Sequence, residues 1–278
     1  MLLIGCDFSS APTRRKTIVV ATGALAPGAK VLGLHALHRF ASLDSWAAWL
    51  AARPAWIGGF DFPFSLPREL VEHLGWPAVW SELIAHYATL ERAQIRQLFA
   101  AFCAARPVGA KFAHRRCDGP AGSSPSMKWV NPPVAYMLHA GVPRLMAAGA
   151  RFPGLQEAPS GERVALEAYP GLLARELIGR ASYKSDDRAR QNEARRAARS
   201  ELLARLQRGE SRLGISLDVN PAHQAARCRL WRCACDMRTG LSRASGRLRR
   251  RAHRARDGAF AHRQIHDGRE HAQCDGQP

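Results

Sequence analysis

Three short apolar runs in this sequence each end on a carboxylate. They are LLIGC before Asp7, WIGGF before Asp61 and VAL before Glu167. Each run has the length of a buried strand, and each acid is followed by a segment that turns sharply. Strands that end in this way in an α/β sheet project their last side chains into one crevice at the sheet edge. We therefore expect these three acids to converge at one edge of a sheet.

Acids that converge repel one another unless a counter-charge is present, and a divalent cation is the usual one. Asp7 and Asp61 could each be a helix cap or a turn residue instead. Glu167 is harder to explain in this way, because Glu is a poor N-cap and a poor turn residue. Oxygen ligands with room for water favour Mg²⁺ or Mn²⁺ over zinc. The three acids together predict such a metal site.

Other catalytic signatures are missing from the sequence. There is no Gly-x-x-x-x-Gly-Lys loop, and Gly58-Gly59 lacks the third glycine and the helix of a dinucleotide fingerprint. No G-x-S-x-G elbow surrounds Ser9 and Ser10, which we interpret as turn residues. Carboxylates that share divalent ions are typical of in-line phosphoryl displacement, so phosphodiester chemistry is favoured.

Composition favours a reducing compartment and an anionic partner. The 278 residues carry a net charge of +18, and the first 220 residues are basic without the tail. Seven cysteines without framework spacing favour a reduced interior. The sequence offers neither a run long enough to span a membrane nor a signal peptide, which predicts a cytoplasmic protein with no membrane partner.

The pattern of apolar residues predicts a mixed α/β fold. The expected order is three antiparallel strands, a helix and a fourth strand, then a helical insertion, a fifth strand and two more helices. The predicted strands are residues 2–7, 16–21, 30–38, 55–61 and 162–167. The predicted helices are residues 45–52, 67–74, 78–105 (with a possible break), 132–148, 172–178 and 188–207, with a loop over 106–131.

These features resemble a known family. The segments LIGCDFSSAP, GGFDFPFSLP, HRRCDG and EAYPGLLARELIG, the last followed by SYK, are similar to those of domain-of-unknown-function family 429, predicted nucleases with an RNase H-like fold. The likeness covers residues 1 to about 218, with the helical insertion at about 67–150. It implies an RNase H-like mixed sheet, in which three antiparallel strands are followed by parallel strands, with helices on both faces and a metal-dependent nuclease activity.

The resemblance also implies roles for individual residues. Asp7, Asp61 and Glu167 match the family's catalytic, metal-binding acids. Arg116 and Asp118 match a basic–acidic pair in the insertion, which would otherwise be a surface ion pair. Lys184 would contact a substrate phosphate, or else be an ordinary loop lysine.

The last 58 residues differ in character from the rest. Residues 221–278 contain thirteen arginines, no lysine and no apolar periodicity, so we predict a disordered tail. An Arg-rich nucleic-acid tail and a zinc site are alternatives, but the cysteines lack paired spacing. The composition is typical of a GC-rich gene translated in the wrong frame. The family's last helix carries a further acid, which is missing here, so we expect impaired catalysis.

The sequence therefore predicts a metal-dependent nuclease or phosphodiesterase of RNase H-like type that acts on nucleic acid. The alternative is a non-catalytic nucleic-acid-binding protein that uses the basic helix near residues 188–212 and the loop 111–128. A sugar-phosphate or nucleotide-phosphate enzyme is disfavoured, because Phe8-Ser9-Ser10 supplies no phosphate-binding glycine turn.

Overall fold

A computed structural model describes residues 1–26, 28–156, 161–183 and 192–219. The predictions for Lys184 and for residues 221–278 fall outside these residues.

Six strands form one mixed sheet. They are β1 (Leu3–Asp7), β2 (Ile18–Leu25), β3 (Val31–Phe40), β4 (Trp56–Phe60), β5 (Arg163–Glu167) and β6 (Ser216–Val219). The order across the sheet is β5-β4-β1-β2-β3-β6. Strands β1, β2 and β3 pair antiparallel, whereas β4 is parallel to β1, β5 to β4, and β6 to β3. The predicted antiparallel-then-parallel arrangement of the first five strands is confirmed.

Eight helices lie within the described residues. They are α1 (Leu43–Ala51), α2 (Arg68–His73), α3 (Trp80–Thr89), α4 (Arg92–Ala104), α5 (Asp118–Ala121), α6 (Val134–Ala147), α7 (Pro170–Ile178) and α8 (Glu193–Arg208). Helices α2 to α6 form the insertion between β4 and β5.

The helix predicted over residues 78–105 is two helices. The backbone of Leu90 is extended, and Glu91 begins α4 with a capping box. In this box the Glu91 carboxylate accepts from the N3 backbone amide, and the Gln94 side chain accepts from the Glu91 amide at 2.7 Å. Because both orphan amides are satisfied locally, the chain ends one helix and begins the next within two residues.

One face of the sheet packs against the insertion. Ile4 and Cys6 of β1, Ile18 and Val20 of β2, and Phe60 of β4 belong to one buried cluster with apolar residues of α1 to α4 and α6. This alternation along the strands is typical of a sheet with one face on a core. The cluster also includes the aromatic side chains of Phe62 and Phe64, which lie one and three residues after Asp61.

The sheet has one strand more than the sequence analysis predicted. Residues of β6 pair with β3 from Val31↔Ser216 to Leu34↔Val219. Leu217 and Val219 are buried, whereas Asp218 between them is exposed, so β6 has the alternation of a strand. Only four residues carry that pattern, which is too short to stand out from a loop in the sequence.

No helix within the described residues is both long and apolar enough to cross a membrane.

Candidate active site

The three predicted acids lie at the same edge of the sheet. Strands β1, β4 and β5 are neighbours and run parallel, so their carboxyl ends meet at one edge. The register aligns Cys6 with Phe60, and Phe60 with Glu167. Asp7 follows Cys6 and Asp61 follows Phe60, so these two acids lie one residue beyond the aligned row.

Asp61 is held against the end of β1. Its amide donates to the Cys6 carbonyl at 3.3 Å, and its carboxylate Oδ1 accepts from the Phe8 amide at 2.8 Å. The chain turns just after Asp61, where Pro63 cannot continue the ladder of hydrogen bonds. The Asp61 carboxylate therefore lies next to the residue that follows Asp7.

Glu167 is held against the turn after β4. Its Oε2 accepts from the Phe64 amide at 3.0 Å, and the next amide, that of Ala168, donates to the Phe60 carbonyl at 2.8 Å. Because Glu167 aligns with Phe60 and Cys6, strand alternation directs it to the face opposite that of Asp7. Asp7 and Glu167 therefore lie at the same edge but point to opposite faces of the sheet.

A guanidinium from the insertion neutralises Glu167. Arg115 donates from Nη1 to Oε2 and from Nη2 to Oε1 of Glu167, each at 2.8 Å. The same guanidinium donates to Asp118 Oδ1 from Nε at 3.1 Å and from Nη2 at 2.8 Å. The exposed fractions of these side chains are 12% for Arg115, 20% for Glu167 and zero for Asp118. These charge-assisted hydrogen bonds are stronger than those of a surface ion pair, and they hold the three side chains in a more fixed geometry.

Arg115 stays protonated in this environment. Burial lowers its pKa, but the charge and hydrogen bonds of Glu167 and Asp118 raise it by more. The pKa of Arg115 therefore lies above its ordinary value, and the guanidinium remains a fixed cation. We call Arg115, Asp118 and Glu167 the ion cluster.

The basic partner of Asp118 differs from the predicted one. Arg115 contacts Asp118, whereas the predicted Arg116 is exposed and makes no ion pair with it. The Arg115 amide also donates to Asp118 Oδ2 at 2.9 Å, and the Ser123 hydroxyl lies 3.3 Å from Oδ1. Sequence reasoning missed Arg115, although its spacing of three residues from Asp118 is that of neighbours on one helical turn.

The insertion is attached to the end of each of these three strands. After β1, the Ser10 carbonyl accepts from Arg92 at 2.6 Å; after β4, the Phe64 carbonyl accepts from the Trp80 indole at 2.8 Å. After β5, the Tyr169 hydroxyl donates to the Gly122 carbonyl at 3.2 Å. We call the edge formed by the carboxyl ends of β1, β4 and β5 the acidic edge. The insertion therefore contacts the chain just after each strand of this edge.

Helix α8, the predicted nucleic-acid helix, has many internal partners. Arg196 pairs with Glu193, and Arg205 pairs with Glu201 at 2.6 Å. Arg195 contacts the Ser182 hydroxyl at 3.0 Å, and Arg199 donates to the Tyr183 carbonyl at 2.8 Å. Two of these arginines pair with glutamates of the same helix, and the other two attach α8 to the segment after α7.

Two of the acids at the sheet edge are candidate ligands of a metal ion. Within the part of the chain that the structure describes, no group of three or more His, Cys, Asp or Glu side chains is arranged to hold a metal ion. Mg²⁺ is commonly held by one or two carboxylates together with waters and substrate phosphates. Asp7 and Asp61, on adjacent strand ends, provide such a pair, whereas both oxygens of Glu167 already accept from Arg115.

Comparison of the chain with protein-family models, with curated proteins and with solved structures found no match.

Proposed function

We propose that this protein is a divalent-metal-dependent phosphodiesterase of RNase H-like type that acts on nucleic acid. The observation that carries the proposal is the placement of Asp7, Asp61 and Glu167 at the carboxyl ends of three neighbouring parallel strands. The β-β-β-α-β order, with an acid at the end of the first and fourth strands, supports the RNase H-like assignment. The resemblance to domain-of-unknown-function family 429 supports the nuclease assignment.

In this proposal Asp7 and Asp61 hold Mg²⁺ or Mn²⁺. The bound ion would supply a Lewis acid for the phosphate and a lowered pKa for a coordinated water. In the overall reaction a water oxygen bonds to phosphorus and one P–O ester bond breaks. The leaving oxygen takes up a proton, and the proton lost by the water passes to solvent. Glu167 already accepts from Arg115 and from the Phe64 amide, so it is not assigned as a ligand in this proposal.

Arg115 has a positioning role in this reaction. It fixes the Glu167 carboxylate and places one positive charge permanently beside the acidic edge. Because Glu167 and Asp118 balance this charge, the role of Arg115 is to hold the Glu167 carboxylate in place. Arg116 and Lys184 remain proposed phosphate contacts.

A labelled-oligonucleotide assay tests the proposal. Single-stranded DNA, duplex DNA, RNA and an RNA–DNA hybrid are incubated with Mg²⁺, with Mn²⁺ or with a chelator. We expect metal-dependent cleavage of at least one substrate, reduced by about a hundredfold or more in Asp7→Asn and Asp61→Asn, since each removes charge from a metal ligand. The matched control is Asp44→Asn, whose side chain is 91% exposed on α1.

The second candidate is a nucleic-acid-binding protein without catalysis. It is favoured by the contact between Arg115 and Glu167, which occupies one of the three acids. Binding that survives Asp7→Asn, in a protein that cleaves none of the four substrates, would support this candidate and contradict the first.

A further inference from the structure

Two Lys–aromatic pairs lie side by side on the insertion. Lys111-Phe112 and Lys128-Trp129 are sixteen or more residues apart in sequence. The Ala113 amide contacts the Met127 sulfur at 3.3 Å, which brings the two segments together. The rings of Phe112 and Trp129 lie 5.6 Å apart between centroids. We call these four residues the basic–aromatic surface.

The basic–aromatic surface is partly open to solvent. Phe112 and Trp129 pack against the core cluster with part of each ring still accessible. The neighbouring side chains Val108 and Val130 are 92% and 50% exposed. Single exposed valines are common on protein surfaces, so the feature of this surface that a ligand could use is the pair of accessible aromatic rings flanked by lysines.

The charge of the surrounding loop is strongly positive. Residues 106–131 contain five lysines and arginines but a single acid, Asp118. Arg106 and Arg115 are paired with acids, so the positive charge of the loop comes from Lys111, Arg116 and Lys128. Arg116 and Lys111 are both exposed within this loop. The complementary partner is therefore a polyanion that also presents flat apolar faces, and these are the properties of unpaired nucleotides.

The loop connects directly to the acidic edge. Phe112 precedes Arg115 by three residues, and Arg115 contacts Glu167 at 2.8 Å. Three residues of extended chain span roughly 10 Å, which is about two nucleotides along a strand. A strand bound on the surface would reach the edge within a few nucleotides.

We infer that the basic–aromatic surface binds single-stranded nucleic acid and delivers it to the acidic edge. Unpaired bases stack on Phe112 and Trp129, and Lys111 and Lys128 contact the flanking phosphates. A duplex hides its base faces and would gain only the phosphate contacts. This inference rests on the proposed function for its catalytic consequence, whereas the binding itself needs neither metal nor cleavage.

The test is fluorescence anisotropy with a labelled oligothymidine of about twelve nucleotides, a blunt duplex of the same length and anionic phosphatidylserine vesicles, all in chelator. We expect the single strand to bind at least tenfold more tightly than the duplex.

Lys111→Ala and Lys128→Ala should each reduce the slope of log affinity against log salt by about 0.7, the value for one phosphate on a single strand. Phe112→Leu, which keeps apolar packing, should weaken single-strand binding about fivefold or more and leave duplex binding unchanged.

Two variants at other sites serve as controls. Lys30→Ala removes an exposed lysine at the β2–β3 turn, and Phe40→Leu replaces a half-buried phenylalanine on β3. Neither should change single-strand affinity. Equal binding of strand and duplex, binding of vesicles alone, or Lys111 and Lys128 variants that behave like Lys30→Ala would overturn the inference.

The two proposals fail in different ways. If the single strand binds as described but no substrate is cleaved with metal, the phosphodiesterase proposal is wrong and the binding surface stands. If cleavage occurs but is unaffected by the Phe112, Lys111 and Lys128 variants, the enzyme stands and the surface is wrong.

Discussion

Arg115 joins Asp118, three residues away in sequence, to Glu167, 52 residues away. One cation thus balances two largely buried carboxylates. Removing one partner from such an arrangement leaves a buried charge uncompensated, which costs more than the arrangement itself contributes.

Arg115→Met should lower the free energy of unfolding by about 3–5 kcal/mol. The change keeps the length of the side chain but leaves Glu167 and Asp118 without their cation. Urea denaturation followed by circular dichroism measures the effect. Arg68→Met is the matched control, because Arg68 forms an exposed pair with Glu72 and should have little influence.

The triple variant Arg115→Met, Glu167→Gln, Asp118→Asn should recover most of that loss, because no buried charge remains. If the Arg115→Met variant has the same free energy of unfolding as the Arg68→Met variant, the prediction is wrong, and solvent rather than the guanidinium balances these carboxylates.

His139 is expected to make stability depend on pH. Burial lowers its pKa from the ordinary value of 6.5, while its hydrogen bond to the Leu90 carbonyl at 2.9 Å only partly opposes this. Arg92 and Arg144 are the nearby charges, and both also lower the pKa of His139. Because the unfolded chain takes up the proton first, stability is complete above about pH 6.5 and falls as the pH drops below it.

Replacement of His139 by Asn should flatten the fall in the free energy of unfolding between pH 7 and pH 5. Chemical denaturation at several pH values measures this slope. His73→Asn, at an exposed position on α2, should keep the wild-type slope. An unchanged slope in the His139 variant would show that another group titrates in this range.

Helix α6 approaches the acidic edge through a glycine. A Cβ added at Gly141 would lie 2.5 Å from the ring of Phe62, the residue that follows Asp61. Only a residue without a Cβ permits this distance, so Gly141 sets how closely the insertion packs on the turn after β4. Trp46, Phe60 and Phe64 contribute further rings to the same region.

Gly141→Ala should destabilise the protein by about 1–3 kcal/mol, because an aromatic ring in a packed core cannot move aside cheaply. Thermal denaturation measures the loss. Gly119→Ala, on α5, is the control, since an added Cβ there has nothing within 4 Å. Gly141→Ala combined with Phe62→Leu should regain part of the stability, and failure to regain any would place the strain elsewhere.

For the molecule as a whole, metal binding should appear as a gain in thermal stability. A ligand that binds only the folded state stabilises it by RT ln(1 + [L]/Kd), so Tm rises with the logarithm of ligand concentration once that concentration exceeds Kd. Wild-type protein should gain a few degrees in millimolar Mg²⁺ or Mn²⁺. Asp7→Asn and Asp61→Asn should lose this gain, while Asp44→Asn should retain it.

Glu167→Gln distinguishes the roles of the acids in the same measurement. If Asp7 and Asp61 hold the ion and Arg115 retains Glu167, the metal-induced gain should survive in Glu167→Gln although its starting Tm is lower. A gain abolished by Glu167→Gln would make Glu167 a ligand of the ion.

Sequence pattern alone predicted the order of the first five strands along the chain and the position of each acid at or next to a strand end. Those properties are local, because a short apolar run bounded by turn residues predicts a strand wherever it packs. The N-cap of α1 at Ser42 is a similarly local feature, because its side chain accepts a hydrogen bond from the Ser45 amide three residues later.

The surroundings of each acid depend on the tertiary structure and could not be predicted from the sequence. The register of β4 against β1 and β5 offsets Asp7 from Glu167 by one residue, and the insertion places Arg115 on Glu167. Neither follows from local pattern, because register and long-range ion pairs depend on packing of segments distant in sequence. β6 was missed for the same reason, since four residues become a strand only through pairing with β3.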